Sequence, residues 1–283
     1  MIIYKTCTHS TMSEIFEAFS IGFSDYFIPL TMSQSEFTAR FFGPEGNSLN
    51  TSFIALDDNK PIGVILGGIR QFDGLKTMRC GSLCIHPDYR GRGISQRLFE
   101  MHKAAALEAK CKQLFLEVIK HNHRAVKFYE TCGYTKVYSL KYFSIIAQYI
   151  TDNIKPKTYS IEPISFDELN TFKNSLPDCH INWQSDTPYY AESKEETLLC
   201  AYDNGRQIAL LALNPHGKIN FLWVAPDYRG QGVGKGMLSE AIKLRNIEKI
   251  TICLPSNSSM EGFVRKLGFE KDSLEQYEMY LPL

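Results

Sequence analysis

The hydrophobic positions in the first half of the chain change repeatedly between helical and strand spacing. Met12, Ile15, Phe16 and Phe19 recur every three or four residues, which is typical of an amphipathic helix. Apolar runs on either side of a polar Asp-Asp-Asn-Lys-Pro segment predict a β-hairpin. The same criteria predict a second helix that ends near Phe42, strands over 79–85, 113–119 and 135–146, and helices over 94–109 and 122–130. This mixture of strands and helices indicates an α/β protein.

The second half of the chain repeats this order of elements. Residues 201–204 (Ala-Tyr-Asp-Asn) have the same place in a predicted hairpin as residues 55–58 (Ala-Leu-Asp-Asp). A repeat of this length indicates a duplicated domain rather than a solenoid array. We therefore expect one domain over 1–146, a linker over 147–157 and a second domain over 158–283.

One element occurs in both halves with almost the same sequence. A short apolar strand leads into Pro-Asp-Tyr-Arg-Gly-x-Gly, at 87–93 in the first copy and 226–232 in the second, and a helical pattern follows. Glycines between a strand and a helix allow backbone N–H groups to converge on one point, and the helix N-terminus adds positive potential. We therefore predict a phosphate-binding turn in each half. The turn is not a Walker loop, because no Gly-Lys-Ser/Thr follows it.

The composition narrows the range of partners. The chain has 31 basic and 31 acidic side chains, and this balance argues against nucleic acid or an anionic membrane as the main partner. No apolar run is long enough for a membrane-spanning helix, and the first residues do not resemble a secretory signal. The eight cysteines form no Cys-x-x-Cys pair, so we expect reduced thiols in a cytoplasmic protein without a metal.

Two motifs make the chain resemble the GNAT superfamily of acyl-CoA-dependent N-acyltransferases. The family's Gln/Arg-x-x-Gly-x-Gly/Ala corresponds to residues 90–95 and 229–234. Its later Glu-Val-x-x-x-Asn-x-x-Ala-x-x-x-Tyr segment corresponds to residues 117–129, and a Gly-aromatic pair follows it here as in the family. The resemblance implies two tandem GNAT folds, each a mixed, mostly antiparallel twisted sheet flanked by helices.

The resemblance also implies which residues hold acetyl-CoA. In the family, the fourth strand binds the pantetheine arm, the turn binds the pyrophosphate and the Asn touches the cofactor. The corresponding residues of the first half are Leu83, Cys84, Ile85, Arg90, Gly91, Arg92, Gly93, Ile94, Ser95, Gln96 and Asn122. A second cofactor site would use Val224, Arg229, Gly230, Gln231, Gly232, Val233, Gly234 and Asn257.

The resemblance assigns the proton transfers of the reaction to two residues of the first half. Tyr129 corresponds to the family's general acid; the alternative is a packed core aromatic. Glu117 corresponds to the base position of the ribosomal-protein alanine N-acetyltransferases, where it acts through water; the alternative is a structural carboxylate. Ile252 and Val264 stand at these two positions in the second half. We therefore expect catalysis in the first half, while the second binds CoA without catalysis, uses other residues or is a vestigial scaffold.

The segment after the first helix is a candidate acceptor site. Phe23, Tyr26 and Phe27 are aromatic and Asp25 is acidic, a combination that suits a cationic amine; the alternative is ordinary packing at a helix turn. We expect an acetyl-CoA-dependent N-acetyltransferase that acts, as a monomer or homodimer, on a primary amine of a small molecule or peptide. The alternatives are transfer of a longer acyl group and a CoA-sensing or partner-binding module without turnover.

Overall fold

The computed structural model describes residues 1–152, 158–176, 180–191, 193 and 195–283. The chain divides into two compact units: residues 1–137 together with 277–283, and residues 138–276. The expected domain limits of 1–146 and 158–283 follow the order of elements along the chain and stay a prediction; the compact units place residues 138–146 with the second half and residues 277–283 with the first. Residues 148–151 of the expected linker are helical, and residues 153–157 lie outside the described part of the chain.

Polar capping residues fix where the first helices of unit 1 begin. Thr11 and Ser33 each form a capping box, with Glu14 and Glu36 respectively, so that the helix starts are defined by side-chain hydrogen bonds to the backbone. The helices of this unit are α1 (Met12–Gly22), α2 (Gln34–Phe41), α3 (Ile94–Glu108) and α4 (His123–Thr131). Its strands are β1 (Ile2–Thr6), β2 (Ser48–Asp57), β3 (Lys60–Phe72), β4 (Leu75–Ile85) and β5 (Gln113–Ile119).

The sheet of unit 1 has the order β1-β2-β3-β4-β5. Neighbouring strands are antiparallel except for β4 and β5, which are parallel. The β4–β5 pairing runs only from Thr77 opposite Gln113 to Arg79 opposite Phe115. Both strands continue beyond this point, so they separate towards Ile85 and Ile119. This separation creates the opening in which the candidate site lies.

Helices cover both faces of this sheet. Alternate residues of β2 point to opposite sides: Phe53 and Ala55 pack in a core with α3 and α4, whereas Ile54 and Leu56 pack in a core with α1 and α2. Because both faces are buried, strand β3 carries a nearly continuous apolar run over residues 61–69. The sequence pattern of a buried strand is therefore a run rather than a strict alternation.

Unit 2 repeats the plan of unit 1. Its strands are β6 (Thr135–Ile146), β7 (Ser160–Pro163), β8 (Thr197–Asp203), β9 (Arg206–Leu213), β10 (Lys218–Val224) and β11 (Lys249–Pro255). Its helices are α5 (Gln148–Thr151), α6 (Phe166–Ser175), α7 (Thr187–Tyr190), α8 (Val233–Arg245) and α9 (Glu261–Lys266). The strands have the order β7-β8-β9-β10-β11-β6, and β10 and β11 are parallel.

Two strands cross the unit limits, β6 and β12 (Glu270–Pro282). Residues 140–146 of β6 pair with residues 249–255 and therefore belong to unit 2.

Among the described helices, none combines the length and apolar character needed to cross a membrane.

A histidine lies in the core of unit 1. His102 of α3 is fully buried, and its ring lies close to Gly67, where an added Cβ would be 2.9 Å from ring atoms. Burial disfavours the charged imidazolium and lowers the pKa of His102 from 6.5 to about 4; the backbone of Thr51 opposes this only in part. The folded protein therefore holds His102 neutral at pH values where the unfolded chain protonates it.

The pH dependence of stability tests this burial. Between pH 6.5 and pH 4 the unfolded state binds the additional proton, so stability falls as the pH decreases. We expect the free energy of unfolding of the wild type to fall between pH 7 and pH 4 by about 3 kcal/mol more than that of His102→Leu. Urea titrations at several pH values measure this difference. Parallel losses in both proteins would contradict the buried, neutral histidine.

Candidate active site

The first glycine-rich turn is held by side-chain contacts on one side and left open on the other. His86 Nδ1 accepts a hydrogen bond from the Asp88 N–H at 3.2 Å, and Tyr89 OH donates to Asp57 Oδ2 at 3.1 Å. Gly91 and Gly93 then adopt φ values of 77° and 79°, which favour glycine. No atom of the described residues lies within 4 Å of where a Cβ would be at either glycine. Their exposed backbone can therefore approach a ligand closely.

Helix α3 presents free N–H groups at this turn. Gly93 is its N-cap, and the Arg97 N–H donates to Gly93 O at 3.0 Å. The N–H groups of Ile94, Ser95 and Gln96 come before that of Arg97, the first N–H that donates within the helix, and therefore have no acceptor in the helix itself. The helix dipole adds positive potential at the same place. These groups suit a phosphate or pyrophosphate.

A cleft of about 550 Å³ opens beside the turn within unit 1. It lies between the diverging end of β4, the start of α3, helix α4 and the loop after α1. The predicted site residues that line it are Phe23, Asp25, Tyr26, Phe27, Leu83, Cys84, Ile85, Arg90, Gly91, Ile94, Ser95, Asn122 and Tyr129. Those that lie outside its lining are Arg92, Gly93, Gln96 and Glu117. The structure thus brings most of the predicted cofactor, acceptor and acid residues together.

Tyr129 of α4 lines this cleft. Its side chain is buried, and its hydroxyl oxygen lies 3.9 Å from Cys80 Sγ. Burial raises the pKa of Tyr129 well above its ordinary value, and the nearby Cys80 raises it further. The phenol therefore keeps its proton throughout the neutral pH range, as a general acid requires.

Glu117 belongs to a buried ion-pair chain instead of the cleft lining. Its Oε2 lies 2.7 Å from Arg79 Nη2, and Arg79 Nη1 lies 2.7 Å from Glu45 Oε2. Burial raises the pKa of Glu117 despite the opposing charge of Arg79. Burial alone would lower the pKa of Arg79, but Glu117 and Glu45 together raise it above its ordinary value. This arrangement favours the structural alternative for Glu117.

Asp25 is bound by Arg90. The Arg90 guanidinium donates from Nη1 to Asp25 Oδ2 at 2.5 Å and from Nη2 to Asp25 Oδ1 at 2.7 Å. This pairing lowers the pKa of Asp25 below its ordinary value. The carboxylate lines the cleft, but its charge is matched by a cation of the protein. That leaves less reason to assign it to a cationic amine.

Several lining residues were absent from the prediction. His121, His123 and Arg124 lie on both sides of Asn122 at the start of α4, and Phe128 lies one turn further along the helix. Asn122 Oδ1 accepts the Ala125 N–H at 3.2 Å and thereby starts α4. The proximity in sequence to Asn122 was the available signal, because residues at a helix start share the environment of its N-cap.

The second turn has the same backbone but different surroundings. Gly230 and Gly232 have φ values of 77° and 89°, with open space where a Cβ would lie. At Gly234, however, a Cβ would lie only 3.0 Å from the Phe263 ring, so this ring packs against the start of α8. The corresponding residues of the first half, Ser95 and Phe128, both border the cleft.

The second asparagine also differs from the first. Asn257 is exposed, and α9 starts only at Glu261, with no side-chain cap. The chain around Asn257 thus lacks the helical turn that Asn122 begins in unit 1. The predicted second cofactor site therefore has the turn but not the flanking geometry of the first.

Removal of Arg79 tests the structural role of the buried ion-pair chain. Arg79→Met would leave the carboxylates of Glu45 and Glu117 buried without their shared cation. We expect the free energy of unfolding at pH 7 to fall by about 3–5 kcal/mol, measured by urea denaturation. As a control, Arg97→Met removes an exposed pair with Glu100 (3.4 Å) and should cost less than about 0.5 kcal/mol. Similar stabilities of the two variants would show that the buried chain is dispensable.

Comparison with known proteins identifies the family. The Acetyltransferase (GNAT) family matches residues 11–134, and an Acetyltransferase (GNAT) domain matches residues 194–271. N-alpha-acetyltransferase 30 of Dictyostelium discoideum is 29% identical over 112 residues, which are 39% of this chain and 60% of that protein. The match therefore spans less than two thirds of that relative's length.

Solved structures resemble the whole chain. A GCN5-related N-acetyltransferase from Sphaerobacter thermophilus has a TM-score of 0.70 at 15% identity, over 99% of this chain and 95% of that one. A tandem GNAT protein from the clavulanic acid biosynthesis pathway has a TM-score of 0.68 at 14% identity, over 100% and 98% of the two chains. At such identities the likeness concerns the fold. The matches in both halves and this shared architecture lead to one conclusion: the chain belongs to the GNAT acetyltransferase family and contains two GNAT domains.

Proposed function

We propose that this protein is an N-acetyltransferase that transfers the acetyl group of acetyl-CoA to a primary amine. The observation that carries the proposal is the position of Tyr129, a protonated phenol in the same cleft as an anion-binding turn. GNAT proteins use acetyl-CoA as cosubstrate, which supports the same cosubstrate here. The first domain is the proposed catalytic domain.

The residues of the first turn fit a CoA pyrophosphate. The free N–H groups at the start of α3 and the unobstructed backbone of Gly91 and Gly93 offer hydrogen-bond donors without steric hindrance. The edge of β4 that faces β5 is open beyond Arg79 and lies in the same cleft. There the backbone groups of Leu83 and the Ile85 N–H are placed for the amides of the pantetheine arm, while Ile85 O accepts from Arg90 Nε. We assign the cofactor to this cleft.

The proposed reaction is direct attack of the amine on the thioester carbonyl. The nitrogen lone pair forms the new C–N bond, the C–S bond breaks, and Tyr129 donates its proton to the departing sulfur. A backbone N–H of β4 near Cys84 or Ile85 can stabilise the oxyanion. The proton on the attacking nitrogen passes to water. Tyr129 then recovers its proton from solvent, which closes the cycle.

The name of one relative supports a choice of acceptor class to test first. The name of the Dictyostelium protein specifies an N-alpha-acetyltransferase, a class that acts on the α-amine of a polypeptide. We propose that the acceptor is a primary amine, with peptide α-amines as the first group to test and small-molecule amines as the second. The aromatic residues Phe23, Tyr26 and Phe27 beside the cleft are the proposed acceptor contacts.

An aspartate in either turn tests where the cofactor binds. Gly93→Asp places a carboxylate and a strained φ at the first turn, and Gly232→Asp makes the same change at the second. We expect Gly93→Asp to weaken acetyl-CoA binding at least about a hundredfold, because it repels the pyrophosphate. Gly232→Asp should retain the wild-type affinity in calorimetry. Loss of acetyl-CoA binding in Gly232→Asp alone would place the cofactor site in the second domain. The general acid would then have to be a residue of that domain.

The acid role of Tyr129 is tested by Tyr129→Phe. We expect kcat to fall about a hundredfold or more, with a nearly unchanged acetyl-CoA affinity, because only the proton donor is lost. The measurement is acetylation of a panel of peptide and small-molecule amines, followed by release of free thiol.

The matched control for this experiment is Tyr134→Phe. Tyr134 is buried, and its ring centroid lies 5.7 Å from that of Tyr129. Its hydroxyl has no hydrogen-bond partner among the described residues. This variant should retain wild-type kcat. Equal losses in both variants would indicate a packing effect. A wild type that binds acetyl-CoA but acetylates no amine of the panel would instead favour the CoA-binding module.

A further inference from the structure

The Arg90 side chain connects three segments of unit 1. Besides its two bonds to Asp25, its Nη2 donates to Gly22 O at 3.1 Å and its Nε donates to Ile85 O at 3.1 Å. The guanidinium therefore ties the end of α1, the loop after α1 and the end of β4 to the glycine-rich turn, of which Arg90 is part. A planar guanidinium with four such bonds has a fixed orientation.

The loop that carries Asp25 also carries the aromatic residues of the cleft. Phe23 and Tyr26 lie with ring centroids 5.1 Å apart, and Tyr26 and Phe27 with centroids 4.5 Å apart. Backbone hydrogen bonds from Ser24 to Ile21 and from Tyr26 to Phe23 form short turns at the beginning of this loop. Neither turn reaches the glycine-rich segment. Two contacts of Arg90 connect this region to that segment: the bond to Gly22 O, directly before Phe23, and the ion pair with Asp25, which lies between Phe23 and Tyr26.

The corresponding arginine of the second domain, Arg229, keeps the strand contact but shows no such ion pair among the described residues. Arg229 donates from Nε to Val224 O at 3.0 Å, which corresponds to the bond from Arg90 to Ile85. Within the described residues, no carboxylate pairs with Arg229, and its side chain is exposed. The strand contact is thus common to both turns, and the loop contact occurs in the domain that has the cleft.

We propose that Asp25 is a positioning residue that couples the acceptor side of the cleft to the cofactor turn. Through Arg90, an anion that orders the turn also orders the loop of Phe23, Tyr26 and Phe27. Acyl-CoA and the acceptor then each favour binding of the other, because such coupling is reciprocal. The carboxylate acts on Arg90 and makes no contact with the amine. The acceptor part of this inference rests on the proposed function, whereas the coupling of loop and turn does not.

Amide hydrogen exchange tests the coupling without any turnover. The full-length wild type, Asp25→Asn and Asp25→Glu are compared with and without free CoA, with exchange followed over residues 23–29. We expect Asp25→Asn to accelerate exchange in this segment about two- to fivefold, within the range for loss of a partly exposed ion pair. CoA should slow exchange of the loop in the wild type and, through the retained carboxylate, in Asp25→Glu. It should not do so in Asp25→Asn.

The matched control is Asp227→Asn. This substitution breaks a more exposed Arg–Asp pair in the second domain, Arg206–Asp227 at 3.0 Å, and should leave exchange over 23–29 at the wild-type rate. Wild-type exchange of the loop in Asp25→Asn would overturn the proposal. So would equal protection of the loop by CoA in Asp25→Asn and in the wild type.

Kinetics separate positioning of the loop from direct binding of the amine. With an acceptor identified in the amine panel, Asp25→Asn should raise the acceptor KM severalfold and change kcat less than about twofold. Asp25→Glu should recover most of the affinity. A loss confined to cationic amines, with unchanged loop exchange, would show direct binding and overturn the proposal. If Asp25→Asn accelerates exchange of the loop but the wild type acetylates no amine, the coupling stands and the proposed function is rejected.

Discussion

The end of backbone pairing between β4 and β5 is the constraint on which the candidate site depends. Hydrogen bonding stops at Arg79 and Phe115, and the strands diverge beyond that point. A buried ion pair lies where the pairing ends: Arg79 on one strand and Glu117, two residues after Phe115, on the other. Because residues i and i+2 of a strand share a face, this pair bridges the strands on the side of Phe115. The opening is therefore bounded by a fixed electrostatic contact as well as by the sheet.

The glycine-rich turns could be read from the sequence because their signal is local. A strand, a Pro-Asp-Tyr turn, two glycines and a helix follow one another without a gap, and the backbone conformation depends on these residues alone. Tyr129 and Asn122 followed from a motif with fixed spacing within a single strand–helix unit. The helix and strand positions of unit 1 likewise follow from periodicity and capping boxes.

Features that depend on distant pairing could not be read in the same way. The side-chain pattern of β6 shows a strand but not that residues 140–146 pair with residues 249–255. Asp25 pairs with Arg90, 65 positions away, and Glu117 pairs with Arg79, 38 positions away. Neither ion pair can be recognised from the local spacing of residues. A carboxylate near aromatic residues is ambiguous until the position of the nearest arginine is known. Phe263 is similar: only the fold places its ring against Gly234.

The two turns have the same backbone, whereas the residues proposed for proton transfer differ between the two halves. A cradle made of backbone N–H groups contributes no side chain that a substitution can remove, and only the glycines must stay small. The proton donor of the proposed reaction, in contrast, is one side chain, and a single replacement removes it; valine stands at the corresponding position, 264, of the second half. After a domain duplicates, the two properties can therefore be lost independently and at different rates. Domains that retain an anion cradle without a reaction are thus an expected product of duplication in any fold that binds its cofactor through the main chain.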